Sequence, residues 1–576
     1  MFIQYGYIIS RNIKTITGGG PMILASKNMI ETYTQKGYWG DTTLNQIFKG
    51  FVKKDPQKAC FVDPLNKEEL VGMQPERISY EDADRMMDAL ATAFLELGIR
   101  KDDVVIIQLP NIVELSLSYL ALWRIGAVSS PVPVQWRAHE LNYVIKLTGA
   151  RALITLEEFH GFKHREAAEE IQKAHASLEH VLSIPRFKEM CQGSVDEDRL
   201  EADPPTANDI TTVCWTSGTE AEPKACPLSH NNWIFQGGII SEAMQLPEGC
   251  VLLNPAPIVN MTGVGVGYIL IILNGGTFVM HHPFDPFVFL RQLTEENVQY
   301  SGAVPALLVG MLKHPDVDKF DFSSIHAFAT GSAQPPVWTL EEFKKRWNIE
   351  IINIWGQNEG TVLISGPVDV PDLVKRASFF PDWGNAGTTW PVKRSAALET
   401  KIVNIETGKP TDEPGKVGEY IYRGPNVMPC YFKQPEYTRS AFDEEGYFHT
   451  GDLFRIEADN HISFFDRKKD IIIRGGQNIS AAEVENIVKS HPLVLDAAAV
   501  DMPDEKLLEK VCIYVVPAPD AKVTLEAITT FMREEGVATY KLPERLEIID
   551  AIPRNPVGKV IKSTLREDIR KKLSGE

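Results

Sequence analysis

The chain has 576 residues, 24% of them charged, and a formal net charge of −18. That length exceeds what one hydrophobic core supports, so two or more domains are expected, and the acidic balance argues against a general nucleic-acid binder. The seven cysteines (Cys60, Cys191, Cys214, Cys226, Cys250, Cys430 and Cys512) form no CxxC pair, which fits free thiols in a reducing cytoplasm better than a disulfide or zinc framework.

The first residues, "MFIQYGYIISRNIK", place their apolar stretch ahead of the basic residues. That order is wrong for a secretory signal, and residues 1–34 read as a loose arm. From Ile78 the text is "ISYEDADRMMDALATAFLELGIRKDDVVIIQLPN". Ser79 and Asp82 form a helix-start pair, Met86, Leu90, Phe94 and Leu97 recur at helical spacing, and Gly98 suits the C-cap. Val104–Leu109 then reads as a buried strand, and "ELSLSYLALWRIGAVSSPV" as helix followed by strand. This alternation predicts an α/β fold with parallel-type sheets and helices on their faces.

Further along, "ITTVCWTSGT" is strand-like and runs into the polar turn of "TSGTEAEPKACPLSH", Thr216 to His230. Backbone N–H groups and the hydroxyls of Thr216, Ser217 and Thr219 suit an anion, with Lys224 as a point charge. It is not a Walker A loop, because GxxxxGK[ST] is absent, and taken alone it reads as a Ser/Thr-rich surface turn more readily than as a phosphate site. The most apolar run, Gly263–Met280, is cut by glycines and short for a membrane span; it reads as a buried strand–helix element. After about Trp383 short β-type runs alternate with Glu-Thr-Gly-Lys and Asp-Glu-Pro-Gly turns, which predicts hairpins or a small β-barrel-like module over about 384–468. From Lys469 short helices and strands alternate to the end, a small α+β domain. The expected division is therefore arm 1–34, large domain 35–468 and small domain 469–576.

Four more segments follow the Thr216 loop in order: "IWGQNEGT" (Ile354–Thr361), "GYFHTGDLFRI" (Gly446–Ile456), "DRKKDIIIRGGQNISAAEVE" (Asp466–Glu485) and "PRNPVGKVIKSTLRE" (Pro553–Glu567). The ordered set resembles the adenylate-forming superfamily of acyl-CoA synthetases, peptide-synthetase adenylation domains and luciferases, from about residue 35 to the end. The resemblance implies a role for each matching position. Thr216, Ser217, Gly218, Thr219 and Lys224 match the loop that contacts the β- and γ-phosphates of ATP. Glu359 matches the acid that helps hold Mg²⁺, a hard cation that takes carboxylate oxygen. Trp355 stands where the family usually has Tyr, flanking adenine; Gly356 and Asn358 share its motif, and Gly331 and Ser332 of "TGSAQPP" line adenine and the acyl pocket. Asp452 matches the acid on the ribose hydroxyls, which a carboxylate can accept from together. Arg467 lies beside the ribose, Lys469 at the hinge, Gly475 and Gly476 along the pantetheine tunnel, and Lys559 at the catalytic lysine.

The implied reaction has two steps. A carboxylate attacks the α-phosphorus of ATP, pyrophosphate leaves, and coenzyme A then takes the acyl group from the adenylate with release of AMP. Charge builds on phosphoryl oxygens, so cations and oriented donors carry the catalysis. The small domain swings about Lys469 between the steps. No covalent enzyme intermediate is needed, and Cys214 and Cys226 read as small buried fillers. Asn260, Met261, Gly263 and Gly331 fall at the acyl pocket. Glycines 263, 265 and 267 either widen it for a ring or permit close helix packing. "GYWGDTTL" and "GGQNISAAEVEN" resemble the branch that activates compact cyclic acids, cyclohexane- or cyclohexene-carboxylate-like or benzoate-like; a medium-chain fatty acid is the alternative.

Two other functions stay open. A stand-alone adenylating enzyme loads a separate carrier protein, and a non-catalytic nucleotide-binding protein keeps the fold alone. The second draws on Glu220, Ala221, Ala225 and Asn358, where the family more often has Thr, Gly, Gly and Thr. Against it stand Lys224, Glu359, Asp452, Arg467 and Lys559. Glu220 beside the phosphates loosens their hold if it faces them, and the reaction is close enough to reversible in type to run toward ATP.

Overall fold

The computed structural model describes residues 22–216, 222–385, 387–405, 407–475, 477–504, 506–555 and 559–574. The chain divides into two compact units. The first comprises the residues up to Thr216, Pro223–Glu399 and Arg423–Phe448; the second comprises Thr400–Tyr422 and the chain from His449 onward.

The first unit is built on two sheets. One runs in the order His180–Ser183, Ala152–Thr155, Val104–Ile107, Val128–Pro131, β1 (Ile210–Trp215) and β2 (Ala225–Ser229). Its neighbours are parallel except β1 and β2, which form an antiparallel pair. The other runs Arg77–Ser79, Ala59–Val62, Thr277–Met280, Val251–Asn254, Tyr300–Gly302, β3 (Ala327–Gly331), β4 (Glu350–Gly356) and Val362–Ser365. Its interior pairs are parallel and its two outermost pairs antiparallel. Parallel strands bury both faces, which is why Val104–Ile107 is apolar throughout and fully enclosed.

The helix expected after Ile78 spans Tyr80–Glu96. The Ser79 hydroxyl accepts from the Asp82 N–H at its start, and Gly98 takes φ +85° just past its end. Met87 rather than Met86 faces the core with Leu90 and Phe94, because the 87-90-94 spacing follows the helical repeat more closely than 86-90-94. Gly263–Met280 departs from the expected strand–helix order. It is a π-helix over Met261–Tyr268, a short α-helix over Ile269–Asn274 and then the strand Thr277–Met280. Apolar content marked this run as buried but carries no information on the order of its elements.

In the second unit the strands Pro410–Thr411, Glu399–Val403, Val417–Arg423, β5 (Phe448–Ile456) and β6 (His461–Arg467) lie in that order. A second sheet orders Gln477–Ser480, Ile471–Arg474, Leu508–Pro517 and Val494–Asp504, with Arg545–Ile548 also paired to Leu508–Pro517. Helices Ala481–Lys489 and Leu525–Glu534 cover one face through Val484, Val488, Ile528 and Met532. The helix Lys562–Ser574 covers the other through Leu565 and Ile569. Among the described residues no helix is long and apolar enough to cross a membrane.

Candidate active site

In the first unit the carboxyl ends of β3 and β4 bring the adenine-side candidates together. Gly331 pairs with Ile354 in parallel register, one residue before Trp355. A Cβ on Gly331 would sit 2.6 Å from the Ile354 carbonyl, so the close approach requires glycine. Ser332 follows with φ +69°, a left-handed conformation rare for serine. Open α/β sheets bind ligands at such strand ends, and Trp355, half-buried, offers a ring there.

The Thr216 loop is closed at its base. The Thr216 N–H donates to the Lys224 carbonyl at 3.0 Å, and the Lys224 N–H donates to Thr216 Oγ1 at 3.1 Å. Ser217, Gly218 and Thr219, with Glu220 and Ala221, lie outside the described residues. The Lys224 ammonium lies 5.2 Å from the centre of the Tyr431 ring and 5.1 Å from that of Tyr437, within cation–π range. The Tyr431 hydroxyl donates to Glu359 Oε1 at 2.7 Å. Burial and then the Glu359 charge push the Tyr431 hydroxyl well above the usual phenol range, so it stays a donor. A candidate phosphate-loop lysine and a candidate metal-holding carboxylate are thus joined through one tyrosine. Tyr431 and Tyr437 were missed in the sequence; their aromatic "YFKQPEYT" run lay between motifs and carried no local pattern.

Asn358 is a brace. Its Oδ1 accepts from the Met261 N–H at 2.8 Å and its Nδ2 donates to the Trp215 carbonyl at 2.9 Å, tying the end of β1 to the start of the π-helix. Asn260 caps the π-helix, its Oδ1 accepting from the N–H groups of Thr262 and Gly263. A Cβ on Gly263 would meet the Pro257 carbonyl at 2.0 Å, and one on Gly267 would meet the Asn254 side chain at 3.1 Å. The spaced glycines therefore serve close packing. Cys214 and Cys226 are buried opposite each other on β1 and β2, and burial pushes the Cys214 thiol up to about 12, as expected of inert fillers.

In the second unit β5 and β6 place Asp452 opposite Arg467, with Arg467 Nε 3.8 Å from Asp452 Oδ1. Thr450 shapes the turn before them: its hydroxyl donates to the Tyr420 carbonyl at 2.5 Å and accepts from the Asp452 N–H at 3.1 Å. Glu419, also missed in the sequence, clamps the same turn. Its carboxylate accepts from the Gly451 N–H (3.2 Å), His449 Nδ1 (3.2 Å) and Lys468 Nζ (3.0 Å). Burial opposes its ionisation, but His449 and Lys468 prevail and hold the carboxyl at about 2. Lys469 is exposed, its carbonyl accepting from Arg566, which also pairs with Asp470 at 2.9 Å. Gly475 takes φ +55° and donates to the Leu507 carbonyl; Gly476 lies outside the described residues. Lys559 is half-buried; Asn555 accepts from its N–H through Oδ1 and donates its own backbone N–H to the Lys559 carbonyl, both at 2.9 Å.

Candidate site residues at the ends of parallel strands, followed by a small α+β unit bearing a late lysine, are the arrangement expected of an adenylate-forming ligase. The chain belongs to the AMP-binding enzyme family: the model of that family matches residues 48–432, and that of the AMP-binding enzyme C-terminal domain matches 483–559. It is 31% identical to the medium-chain fatty-acid–CoA ligase of Escherichia coli (strain K12), over 94% of this chain and 93% of that one. It is 27% identical to the 2,3-dihydroxybenzoate-AMP ligase of Bacillus subtilis (strain 168), over 95% and 97%. ATP-bound MatB from Rhodopseudomonas palustris has the same fold, with a TM-score of 0.78 at 23% identity over 92% and 100%.

Proposed function

We propose that this ligase activates a compact cyclic or aromatic carboxylic acid with MgATP and passes the acyl group to coenzyme A in the cytoplasm. The observation that carries the reading is the Lys224–Tyr431–Glu359 cluster, a cation and a carboxylate joined by a phenol beside the base of the Thr216 loop. Lys224 holds the β- and γ-phosphates and stabilises leaving pyrophosphate. Glu359 supplies one carboxylate oxygen to the Mg²⁺ that enters with ATP. That single acid suits Mg²⁺, which keeps waters and phosphate oxygens as ligands, and among the described residues no group of three or more His, Cys, Asp or Glu forms a cage. Trp355 stacks on adenine, Asp452 takes the ribose hydroxyls with Arg467 beside it, and Lys559 bridges the carboxylate and the nucleotide. Lys469 is the hinge, and the glycines at 475 and 476 admit the pantetheine arm. Kinship to an aryl-AMP ligase across the whole chain supports the cyclic acid and equally a second reading, in which a carrier protein replaces coenzyme A.

The test is carboxylate-dependent pyrophosphate–ATP exchange over cyclic, aromatic and linear acids, with coenzyme A and carrier proteins as acceptors. Exchange with a cyclic acid and thioester formation with coenzyme A are expected. Lys559→Ala should abolish exchange and leave thioester formation from supplied acyl-AMP largely intact; equal loss of both steps would refute its role. No exchange with any acid would favour a nucleotide-binding protein without catalysis.

A further inference from the structure

The helix that follows β2, α1 (His230–Met244), packs against the proposed acyl segment and buries the carboxamides of Asn231, Asn232 and Gln236, the last at 1% exposure. Its neighbours fix which way that amide faces. The Gly360 carbonyl only accepts, and Asn426 Nδ2 donates to it at 2.6 Å. The same Nδ2 lies 2.8 Å from Gln236 Oε1, which is therefore the oxygen of its amide. The Gln236 amino group is left turned toward Met261, with Nε2 3.6 Å from Sδ. Among the described residues that thioether is its one partner, and sulfur is a weak acceptor. A buried amino group with two N–H donors thus meets only one soft acceptor among the described residues, where a buried donor ordinarily finds oxygen.

The surroundings suit a ligand group. Met261 is the first residue of the π-helix, a rare element that is frequently found at functional sites. A Cβ on Gly265 would sit 2.7 Å from Met261 Sδ and 3.0 Å from Trp233 Cζ3, so the bare α-carbon leaves the slot that the thioether fills. Trp233 walls this slot and is itself held by Thr212, to which its indole N–H donates at 2.9 Å. Methionine is unbranched and repacks readily. A fixed amide donor, an indole wall and a flexible plug therefore meet at one place.

We propose that Gln236 is a specificity-determining residue, whose amino group hydrogen-bonds an acceptor oxygen on the acid (a hydroxyl, ether or keto group) in the place now taken by the Met261 thioether. The inference rests on the ligase reading and narrows its substrate from a compact carboxylic acid to one that also carries oxygen on its ring or chain. The physical ground is asymmetric. A pocket that buries a donor rejects the analogue lacking the acceptor, because the donor is left unpaired, far more strongly than an apolar pocket rejects an added group.

The experiment is pyrophosphate–ATP exchange with matched acids: benzoate and its hydroxybenzoates, cyclohexanecarboxylate and its hydroxy and oxo derivatives, octanoate and hydroxyoctanoates. At least one oxygenated acid should exceed its parent by about 30-fold in kcat/KM, and Gln236→Met should reduce that ratio to about threefold or less. Gln236→Leu removes the amide altogether while Asn426 keeps the Gly360 carbonyl, and should reduce the ratio likewise should the methionine variant fail to fold. Exchange in which no oxygenated acid is preferred, or a preference that survives both substitutions, overturns the assignment of Gln236 and leaves the ligase reading standing. Exchange with no acid at all overturns both.

Discussion

The cluster around Lys224 in the first unit and the cluster around Glu419 in the second both carry candidate site residues, yet they use charge in opposite ways. Glu419 takes a lysine, a histidine and a backbone N–H, and its charge is committed to fixing the turn that presents Asp452. Lys224 rests over two aromatic rings, and Glu359 accepts from a neutral phenol. Full opposite charges lock a backbone in place. An ammonium held by ring faces keeps its N–H donors for oxygen, so it is positioned without being neutralised. The contrast breaks most visibly at Lys224. Lys224→Ala should lower pyrophosphate–ATP exchange by about 100-fold or more, the scale of losing one donor to developing charge. Its thermal midpoint should move by only about 2 °C, because a half-buried cation–π contact contributes only about 1 kcal/mol to folding. A large fall in midpoint with a small loss of exchange would instead put Lys224 among the locks.

Glu419 should behave the other way. Its folded pKa, about 2, lies below the usual glutamate value near 4.3. The stabilisation is therefore fully present above the unfolded value and is lost as pH falls through the folded one, a window from about pH 4.5 down to 2. The linkage amounts to about 3 kcal/mol. Glu419→Gln should lower the unfolding midpoint at pH 7 and flatten its decline between pH 4.5 and 2, read by thermal unfolding across that range. Parallel acid limbs in the two proteins would mean that Glu419 is not the titrating lock.

The sequence made the local features legible. Ser79 announced its helix through a cap and a 3.6-residue repeat, and the βαβα alternation announced parallel sheets. Asp452 and Arg467 were named by motifs alone, and the strand register sets them opposite each other. Tyr431, Glu419 and Gln236 were not legible, because each acts on a group remote in sequence. Tyr431 reaches Glu359 across 72 positions, Glu419 reaches Gly451 across 32, and Gln236 meets Asn426 across 190. Such contacts follow from the packing of elements and leave no period or spacing behind. The glycines at 263, 265 and 267 show the converse limit. Their spacing was plain, but only the atoms around each absent Cβ decide between a wider pocket and closer packing.

The smallest expected effect isolates what the rings do for Lys224. Tyr431 is tied to Glu359, so its replacement disturbs two groups at once; Tyr437 touches the same ammonium at 5.1 Å and offers the cleaner variant. Tyr437→Leu retains an apolar surface and removes the quadrupole. A cation–π contact of about 1 kcal/mol corresponds to a rise of about fivefold in the KM for ATP, with the KM for the acid unchanged. Tyr437→Phe keeps the ring face and should stay within about twofold of the wild type, since the hydroxyl contributes little to the quadrupole. The decisive quantity is the ratio between these two variants, because both lose the hydroxyl and only one loses the aromatic face. Equal KM values for leucine and phenylalanine would reduce Tyr437 to filling space. Lys224 would then owe its position to Tyr431 alone, and the first cluster would hold its cation through the same residue that holds its carboxylate.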